Sequence, residues 1–488
     1  MTKLRSLVES VSLDQTGSGQ DKGSLDWIEL VPGIPYFQTE RSEAWTPVGQ
    51  NDAITWPELA EIYGRRDLAG VERHLRYLKA SGVTCLRLML EYVQTNRRLF
   101  ELPIGRFNPP MVQVWDDLFR LCERVGLRIL LTPYDTFFMW NRWKHHPYNK
   151  KNGGPCPKRT KLLTCPETRK AIKARLAFAS ERWGSSGALF AWDIWNEMHP
   201  VQGDNRFNCF AEYIDDVSPF LRELELKLHG RAHLQTVSIF GPELGWKEWL
   251  NEPIFRHPAL DFANSHFYEE GTIDHPRDTV APAISTGRLV REALAQISDA
   301  RPFFDSEHGP IHTYKDFGRT LPASFDDEYF RHMQWAHLAA GSAGGGMRWP
   351  NRYPHVLTPG MRLAQLALTR FLPLIDWKRF RRRNLNNEIA VLDPNVACFG
   401  CGDERQAVVW LLRKKPLRRD GCLDRNYLAP VAVKVPALAT GAYRAVLWDT
   451  TEGVERGQFM GTVDETGALT VAIPAMGPDL AIAVRAAL

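Results

Sequence analysis

Residues 190–197 have the sequence FAWDIWNE, a mostly apolar run that ends in the polar pair Asn196-Glu197. Its apolar residues are nearly continuous rather than alternating, which is typical of a strand buried on both faces. A charged residue at the end of such a strand is costly to place in a core, so we expect Glu197 to face a cleft. The run therefore predicts a covered parallel sheet with polar groups where its strands end.

Seven similar runs lie between about residues 45 and 376, and helical patterns alternate with them. The eight runs, in chain order, are Ala44–Gln50, Val83–Leu90, Arg128–Tyr134, Phe190–Glu197, Leu234–Gly241, Phe262–Tyr268, Pro302–Glu307 and Gly345–Trp349. Eight alternating β/α units predict an α/β fold, a (β/α)8 TIM barrel. The alternative is an open doubly wound sheet, which is disfavoured because no G-x-G-x-x-G follows a run and no P-loop occurs.

The helices between these runs have one apolar face each. In the first, Leu68, Val71, Leu75 and Leu78 recur at helical spacing behind Asp67, a suitable N-cap, and Gly82 ends the pattern. Further helices are predicted over 114–125, 167–183, 209–229, 285–298, 325–340 and 360–372.

The flanks of the barrel differ from it in composition. Residues 1–26 are polar and glycine-rich and are predicted to form a flexible tail. The barrel domain is assigned to 27–378, and a hairpin of Ile34–Phe37 and Trp45–Val48 is expected to cover its bottom. After a basic junction, interpreted as a solvated linker, residues 379–488 are predicted to form an antiparallel β-sandwich. Its five expected strands are Ala407–Leu412, Val431–Val435, Tyr443–Trp448, Leu469–Ile473 and Leu480–Val484.

Composition excludes several classes of partner. The 488 residues include 61 Lys+Arg and 57 Asp+Glu, a balance that argues against nucleic acid or an anionic membrane. No apolar run approaches the ~18 residues that span a bilayer, and the first residues lack a secretory signal, so a cytoplasmic location is expected. Cys398-x-x-Cys401 with Cys422 is half of a zinc ribbon without its second half, so no metal site is predicted.

Two carboxylates stand out at the strand ends, where the active site of a (β/α)8 barrel lies. Glu197 closes the fourth run and Glu307 the seventh. Glycoside hydrolysis needs such a pair, one protonated to assist the leaving oxygen and one ionised to attack or to activate water. This chemistry requires no cofactor, and none is predicted. Taken alone, either residue has a structural interpretation, as do Arg87 as partner of a buried acid, His266 as a core histidine and Trp349 as a core aromatic.

These strand ends resemble glycoside hydrolase clan A, and family 5 in particular. The matching stretches are Leu86-Arg87-Leu88, Trp192-Asp193-Ile194-Trp195-Asn196-Glu197, Ser265-His266-Phe267-Tyr268, Phe304-Asp305-Ser306-Glu307-His308-Gly309 and Met347-Arg348-Trp349. The resemblance covers about residues 34–376. It implies a retaining enzyme in which Glu197 is the general acid/base and Glu307 the nucleophile, with carboxyl groups ~5–5.5 Å apart. The other implied contacts are Arg87 and Tyr268 to Glu307, His266 to Glu197, Asn196 to the sugar 2-hydroxyl, and Trp349 to the sugar in the −1 subsite.

Two stretches depart from the family pattern. Met198-His199-Pro200 follows Glu197 where the family usually has Pro directly. The third run ends in Tyr134-Asp135 where the family often has a sugar-contacting His, so Tyr134 or Asp135 is the candidate replacement.

The long segment 135–166 is rich in aromatic residues, among them Trp140 and Trp143. Such a loop is usually functional, and we hypothesise that it closes one end of the cleft and favours exo action on an oligosaccharide. The alternative is that its aromatics pack on the barrel rim. β-Mannosides are favoured as substrates, followed by β-glucosides. An endo-acting mannanase or cellulase, a transglycosylase and a catalytically silent glycan-binding barrel stay open, and no oligomeric state is predicted.

Overall fold

The computed structural model describes residues 25–92, 99–241, 244, 248–268, 276–309, 321–350 and 356–487. Its largest sheet is a parallel barrel with nine strand segments in the order β8-β7-β6-β5-β4-β12-β11-β10-β9. These are β4 (Gly49–Asn51), β5 (Cys85–Met89), β6 (Arg128–Thr132), β7 (Leu189–Asp193), β8 (Leu234–Thr236), β9 (Ser238–Phe240), β10 (Ala263–Phe267), β11 (Phe303–His308) and β12 (Met347–Arg348). β8 pairs with β7 and β9 with β10, so the two segments are halves of one strand that closes an eight-stranded barrel. The predicted (β/α)8 fold is confirmed.

Helices cover the outside of the barrel and return the chain to its N-terminal end. Asp67 caps the second of them by accepting from the backbone N–H of Gly70 at 2.7 Å, as predicted. The helices are α1 (Pro57–Ala60), α2 (Leu68–Ala80), α3 (Pro109–Val125), α4 (Thr136–Asn141), α5 (Pro166–Trp183), α6 (Cys209–His229), α7 (Glu248–Arg256), α8 (Ala281–Gln296), α9 (Ala323–Ala340) and α10 (Pro359–Phe371).

The first predicted run divides between two sheets. Ala44–Trp45 (β3) pairs antiparallel with Phe37–Thr39 (β2), which also pairs with Ile28–Leu30 (β1), and only 49–51 enter the barrel. Pro47 separates the two parts, because proline has no N–H to donate to a ladder. The rings of Phe37 and Phe190 meet edge to face with centroids 5.1 Å apart, so this small sheet covers the barrel bottom.

Two antiparallel sheets follow the barrel, in the orders β13-β15-β16-β21-β18-β19 and β14-β17-β20. Their strands are β13 (Arg383–Asn384), β14 (Ala390–Val391), β15 (Val396–Gly402), β16 (Gln406–Arg413), β17 (Ala429–Val435), β18 (Gly441–Asp449), β19 (Val454–Val463), β20 (Leu469–Met476) and β21 (Asp479–Ala486). All five predicted strands occur. β13, β14, β15 and β19 were not predicted; β13 and β14 have two residues each, and β19 pairs only with β18 in this sheet and is largely exposed, so it lacks an apolar signature.

The central strands of the six-stranded sheet are buried on both faces. Along β16, Val408, Trp410 and Leu412 join the core of the barrel, whereas the alternate residues Val409 and Leu411 join the core of the sandwich. The C-terminal strands are therefore packed onto the barrel rather than held at a distance from it.

Cys398 and Cys401 lie on β15 three positions apart, so their side chains point to opposite faces. Cys401 belongs to the barrel-side core and Cys398 packs against the sandwich core, so the two thiols do not share a site. Of the predicted tail, residues 1–24 lie outside the described residues, and Asp26 lies against the barrel, its backbone oxygen accepting from Arg128 at 2.8 Å. Among the described helices, none is long and apolar enough to cross a membrane.

Candidate active site

Glu307 lies on β11 at the C-terminal end of the barrel and has two strong hydrogen-bond donors. Arg87, on β5, donates to its Oε2 at 2.7 Å, and the Tyr268 hydroxyl donates to its Oε1 at 2.7 Å. Burial raises the pKa of the Tyr268 hydroxyl well above its ordinary value, so this group stays protonated and remains a donor. Both oxygens of Glu307 are thus held in place, as the family resemblance implied for Arg87 and Tyr268.

Arg87 connects the nucleophile candidate to the neighbouring strands. Its guanidinium also donates to Asp193 Oδ2 at 2.9 Å, Asn196 Oδ1 at 2.6 Å and Asn51 Oδ1 at 3.0 Å. Burial alone would lower the pKa of Arg87, but the carboxylates of Asp193 and Glu307 raise it above its ordinary value. Arg87 is therefore a permanent, buried positive charge whose two terminal nitrogens donate to four acceptor side chains.

Glu197 follows β7 in an unusual backbone conformation. Its φ is 47°, in the left-handed region that a non-glycine residue rarely adopts. Its backbone N–H donates to Ser238 Oγ at 3.0 Å, and Ser238 in turn donates to Asp193 at 3.1 Å. The fifth barrel strand thus holds this turn of the chain in place.

His266 lies between the two glutamates. Its Nδ1 is 2.9 Å from Glu197 Oε1 and its Nε2 is 3.0 Å from Ser306 Oγ. Burial lowers the pKa of His266 to about 4, so the ring is neutral near pH 7 and carries a single proton. With the proton on Nδ1 the ring donates to an ionised Glu197, and with the proton on Nε2 it accepts from a protonated Glu197. The contact between His266 and Glu197 therefore suits both states of an acid/base residue.

The two carboxylates are close together but differ in environment. One oxygen of each, together with a nitrogen of His266, forms a set within 4.8 Å. The Glu307 side chain is 9% exposed and that of Glu197 is 23% exposed. Burial raises the pKa of Glu307 above its ordinary value, opposed by His266 and Arg87. The pair has the spacing that a retaining mechanism needs, and the two donors on Glu307, Arg87 and Tyr268, favour its ionised state against the effect of burial.

The same three residues have the composition of a possible metal site, and no other such set occurs within the described parts of the chain. A dication at this point would lie beside the Arg87 guanidinium, which already occupies Glu307 Oε2 at 2.7 Å. Repulsion between these charges in a buried site disfavours the metal.

Trp349 lies directly after β12 and forms one wall of the mouth. Its ring contacts those of Trp56 and Tyr92, with both pairs of centroids 5.3 Å apart. Tyr268 belongs to the same aromatic cluster, so this wall adjoins Glu307. Trp349 is thus near the carboxylate pair.

Tyr134 is not brought to the carboxylates. It is 1% exposed, and its hydroxyl pairs with that of Tyr148 at 2.7 Å. The Arg175 guanidinium lies 4.5 Å from its ring centroid, which makes Tyr134 part of a buried cluster behind the site. Asp135 caps α4 by accepting from the backbone N–H of Phe138 at 3.1 Å.

Trp140 and Trp143 pack within the segment that follows β6. The Arg159 guanidinium lies 4.2 Å from the ring centroid of Trp140, and the Trp143 ring is nearly parallel to that of His146. Both tryptophans are partly buried against the barrel core, as the rim-packing alternative predicted. From this segment Phe138 reaches the mouth, with its ring centroid 5.6 Å from that of Tyr92.

Several residues of the site were not selected from the sequence. Thr136 accepts from the Asn196 side chain at 3.0 Å and donates to its backbone oxygen at 2.5 Å, so it orients that amide. Asn51, Asp193 and Ser238 support Arg87 and Glu197 in the same way. In the sequence, the only feature that marks these residues is that each is a polar residue within or just after an apolar strand.

Comparison with known proteins finds similar solved structures but no match by sequence. No protein-family model matches the sequence, and no curated protein matches it. A solved structure described as a glycoside hydrolase matches with a TM-score of 0.60 at 14% identity over 95% of this chain and 97% of its own. A glycoside hydrolase family 5 protein from Bacteroides vulgatus matches with a TM-score of 0.58 at 14% identity over 95% and 94%. A mutant of a family 5 mannosidase from Rhizomucor miehei matches with a TM-score of 0.50 at 15% identity over 67% and 86%.

These matches show that the chain has the fold of glycoside hydrolase family 5 structures. The fold implied by the strand-end residues is thus confirmed, and the matches to the first two structures include the C-terminal strands.

Proposed function

We propose that the protein is a retaining glycoside hydrolase. The observation that carries the proposal is the pair Glu197 and Glu307, at the C-terminal ends of the fourth and seventh strands of the barrel, with carboxylate oxygens within 4.8 Å of each other. Retaining enzymes hold their two carboxyl groups ~5–5.5 Å apart, whereas inverting enzymes need a wider gap for water. The glycoside hydrolase fold of the matching structures supports the same class of reaction.

The two glutamates divide the reaction between them. Glu197, protonated, donates to the glycosidic oxygen while the ionised Glu307 attacks the anomeric carbon, giving a covalent glycosyl-enzyme and a released alcohol. Glu197, now ionised, then takes a proton from water, which attacks the anomeric carbon and releases Glu307. His266 can bond to Glu197 in both halves of this cycle because the neutral ring can donate or accept at Nδ1.

The proposed substrate is a β-linked oligosaccharide of mannose, or else of glucose, cleaved from its non-reducing end. The mannosidase from Rhizomucor miehei, among the structures of similar fold, supports the preference for mannose. Contact between Phe138 and Tyr92 supports exo action, because it brings the segment after β6 to the aromatic wall of the mouth.

A panel of p-nitrophenyl β-glycosides, compared with the β-linked disaccharide of each sugar, tests the proposal. Glu307→Gln is expected to lower kcat at least ~10³-fold on both kinds of substrate, because no nucleophile remains. Glu197→Gln is expected to lower kcat on the disaccharide ~10²- to 10⁴-fold. It is expected to slow the glycosylation of the enzyme by the aryl glycoside much less, since p-nitrophenolate leaves without protonation.

Glu123→Gln provides the control. Glu123 bonds to Ser186 on the outside of the barrel and lies near the end of α3, away from the mouth, so full activity is expected. Full activity of both Glu197→Gln and Glu307→Gln would contradict the assignment. A protein that binds these sugars but turns over none would instead be a silent glycan-binding barrel.

A further inference from the structure

Two aromatic side chains form an exposed pair on the rim of the barrel. Phe207 is 64% and Trp249 is 38% exposed, and their rings stack with centroids 4.3 Å apart at an interplanar angle of 17°. Phe207 lies between β7 and α6, and Trp249 lies near the start of α7, which follows β9. Both segments follow barrel strands, so the pair is at the same end of the barrel as Glu197 and Glu307.

The pair is on the acid/base side of the mouth. It connects the segments after the fourth and fifth barrel strands, and Glu197 follows the fourth. The Trp349 wall belongs to the segments after the eighth, first and second strands, across the mouth. In the proposed reaction Glu197 protonates the leaving oxygen, so the leaving part of the substrate extends from its side of the site.

The segment that carries Phe207 is held in a defined conformation. Gln202 accepts from the indole N–H of Trp195 at 3.0 Å, which ties the segment to the residues before Glu197. Asp204 and Asn205 both have φ of 55°, in the left-handed region that Asp and Asn tolerate in turns, and the Asp204 N–H donates to the Thr160 backbone oxygen at 2.8 Å. A ring presented by such a segment loses little conformational entropy when a ligand binds.

The surroundings of the pair indicate what it binds. Four exposed polar residues adjoin Phe207 in sequence, namely Asp204, Asn205, Arg206 and Asn208. A pyranose has an apolar face that packs on an aromatic ring and hydroxyl groups that bond to polar side chains around it. A protein partner would bury a much wider apolar patch than one pair of rings.

We propose that the Phe207–Trp249 pair is a distal subsite for the leaving-group sugar, which makes the enzyme selective for oligosaccharides over glycosides with small leaving groups. This inference rests on the proposed hydrolase function and specifies its substrate.

The test compares Phe207→Ala and Trp249→Ala with the unmodified protein on two substrates, the p-nitrophenyl β-glycoside and the β-linked trisaccharide of the same sugar. We expect KM for the trisaccharide to rise about tenfold in both variants while KM for the aryl glycoside is unchanged. Phe207→Tyr, which keeps the ring, is expected to behave as the unmodified protein.

Leu226→Ala is the matched control, because Leu226 is 50% exposed but lies near the C-terminal end of α6, at the end of the barrel opposite to the mouth. It is expected to change neither KM. An equal loss on both substrates, or no loss on either, would overturn the subsite while leaving the hydrolase in place. A lack of turnover by the unmodified protein on both substrates would overturn the hydrolase proposal itself.

Discussion

Two opposing effects act on the pKa of Glu307. Burial raises its pKa above the ordinary value of 4.5, while His266, Arg87 and the Tyr268 hydroxyl stabilise the ionised form. A nucleophile must be ionised, so its activity is complete above its pKa and is lost as the pH falls through that pKa. The acid limb of the kcat/KM profile is therefore expected to lie above pH 4.5.

Tyr268→Phe tests this balance. The variant loses the 2.7 Å bond that favours ionised Glu307, so the pKa of Glu307 rises further and the acid limb moves to higher pH, by about one unit. The plateau of kcat/KM should fall about tenfold. Tyr443→Phe, which removes a hydroxyl that donates to the Glu404 backbone in the C-terminal sheet, should leave the profile unchanged. An unshifted acid limb in Tyr268→Phe would show that another group sets it.

Behind Glu307, the elements β11, β12 and α9 meet at a buried acid–histidine pair. His337 on α9 is 2.6 Å from Asp305 on β11, and Asp305 accepts from the backbone N–H of Glu307 at 3.1 Å. A β-carbon on Gly346, just before β12, would lie 2.9 Å from the His337 ring, and the φ of Gly346 is 72°. The close approach of these elements thus requires glycine at this position.

Gly346→Ala and Gly126→Ala separate backbone strain from crowding. Gly126 ends α3 with φ of 83°, but nothing lies closer than 3.6 Å to an added β-carbon there. Gly126→Ala is expected to lower the free energy of unfolding by ~1–2 kcal/mol through strain alone. Gly346→Ala should cost at least ~1 kcal/mol more because the His337 ring must move. Urea unfolding measures the free energy of unfolding of both variants. Equal losses would mean that the His337 ring moves aside at no cost in free energy.

At the scale of the whole molecule, one buried carboxylate joins the barrel to the C-terminal sheets. Asp479, at the start of β21, accepts from Arg331 on α9 at 3.0 Å, from Trp410 on β16 and from Thr450, which directly follows β18. Burial alone would raise the pKa of Asp479, but Arg331 and His332 hold it well below its ordinary value. This carboxylate therefore adds stability above its unfolded pKa of about 3.9, and the contribution is lost as the pH falls towards its low folded pKa.

Asp479→Asn is expected to lower the free energy of unfolding at pH 7 by ~3 kcal/mol, because it leaves the buried Arg331 charge with only the longer, 3.9 Å contact to Glu328. The difference from the unmodified protein should narrow below about pH 4, where Asp479 of the unfolded chain takes up a proton while Asp479 of the folded protein stays ionised. Glu465→Gln removes an exposed acidic group and is expected to leave the unfolding curve unchanged. If the two proteins differed by the same free energy of unfolding at pH 7 and at pH 3, the ion pair between Asp479 and Arg331 would be contradicted.

The sequence by itself determined the order of barrel strands and the two carboxylates at the ends of the fourth and seventh. These features are local, because a buried strand shows as an apolar run and its end shows as the first charged residue, as at Glu197. The same reasoning located Arg87, His266 and Tyr268, all of which lie at the pair.

Only the tertiary structure decided which strand ends face the same space. Tyr134 and Asn196 both follow apolar runs, yet Tyr134 is buried against Tyr148 and Arg175 while Asn196 bonds to Arg87. Likewise, the sequence showed short strands after the barrel but not that the central strands of one of their sheets are covered on both faces. The physical reason is that register, closure of the barrel and packing of one sheet on another depend on partners distant in sequence, which leave no local pattern.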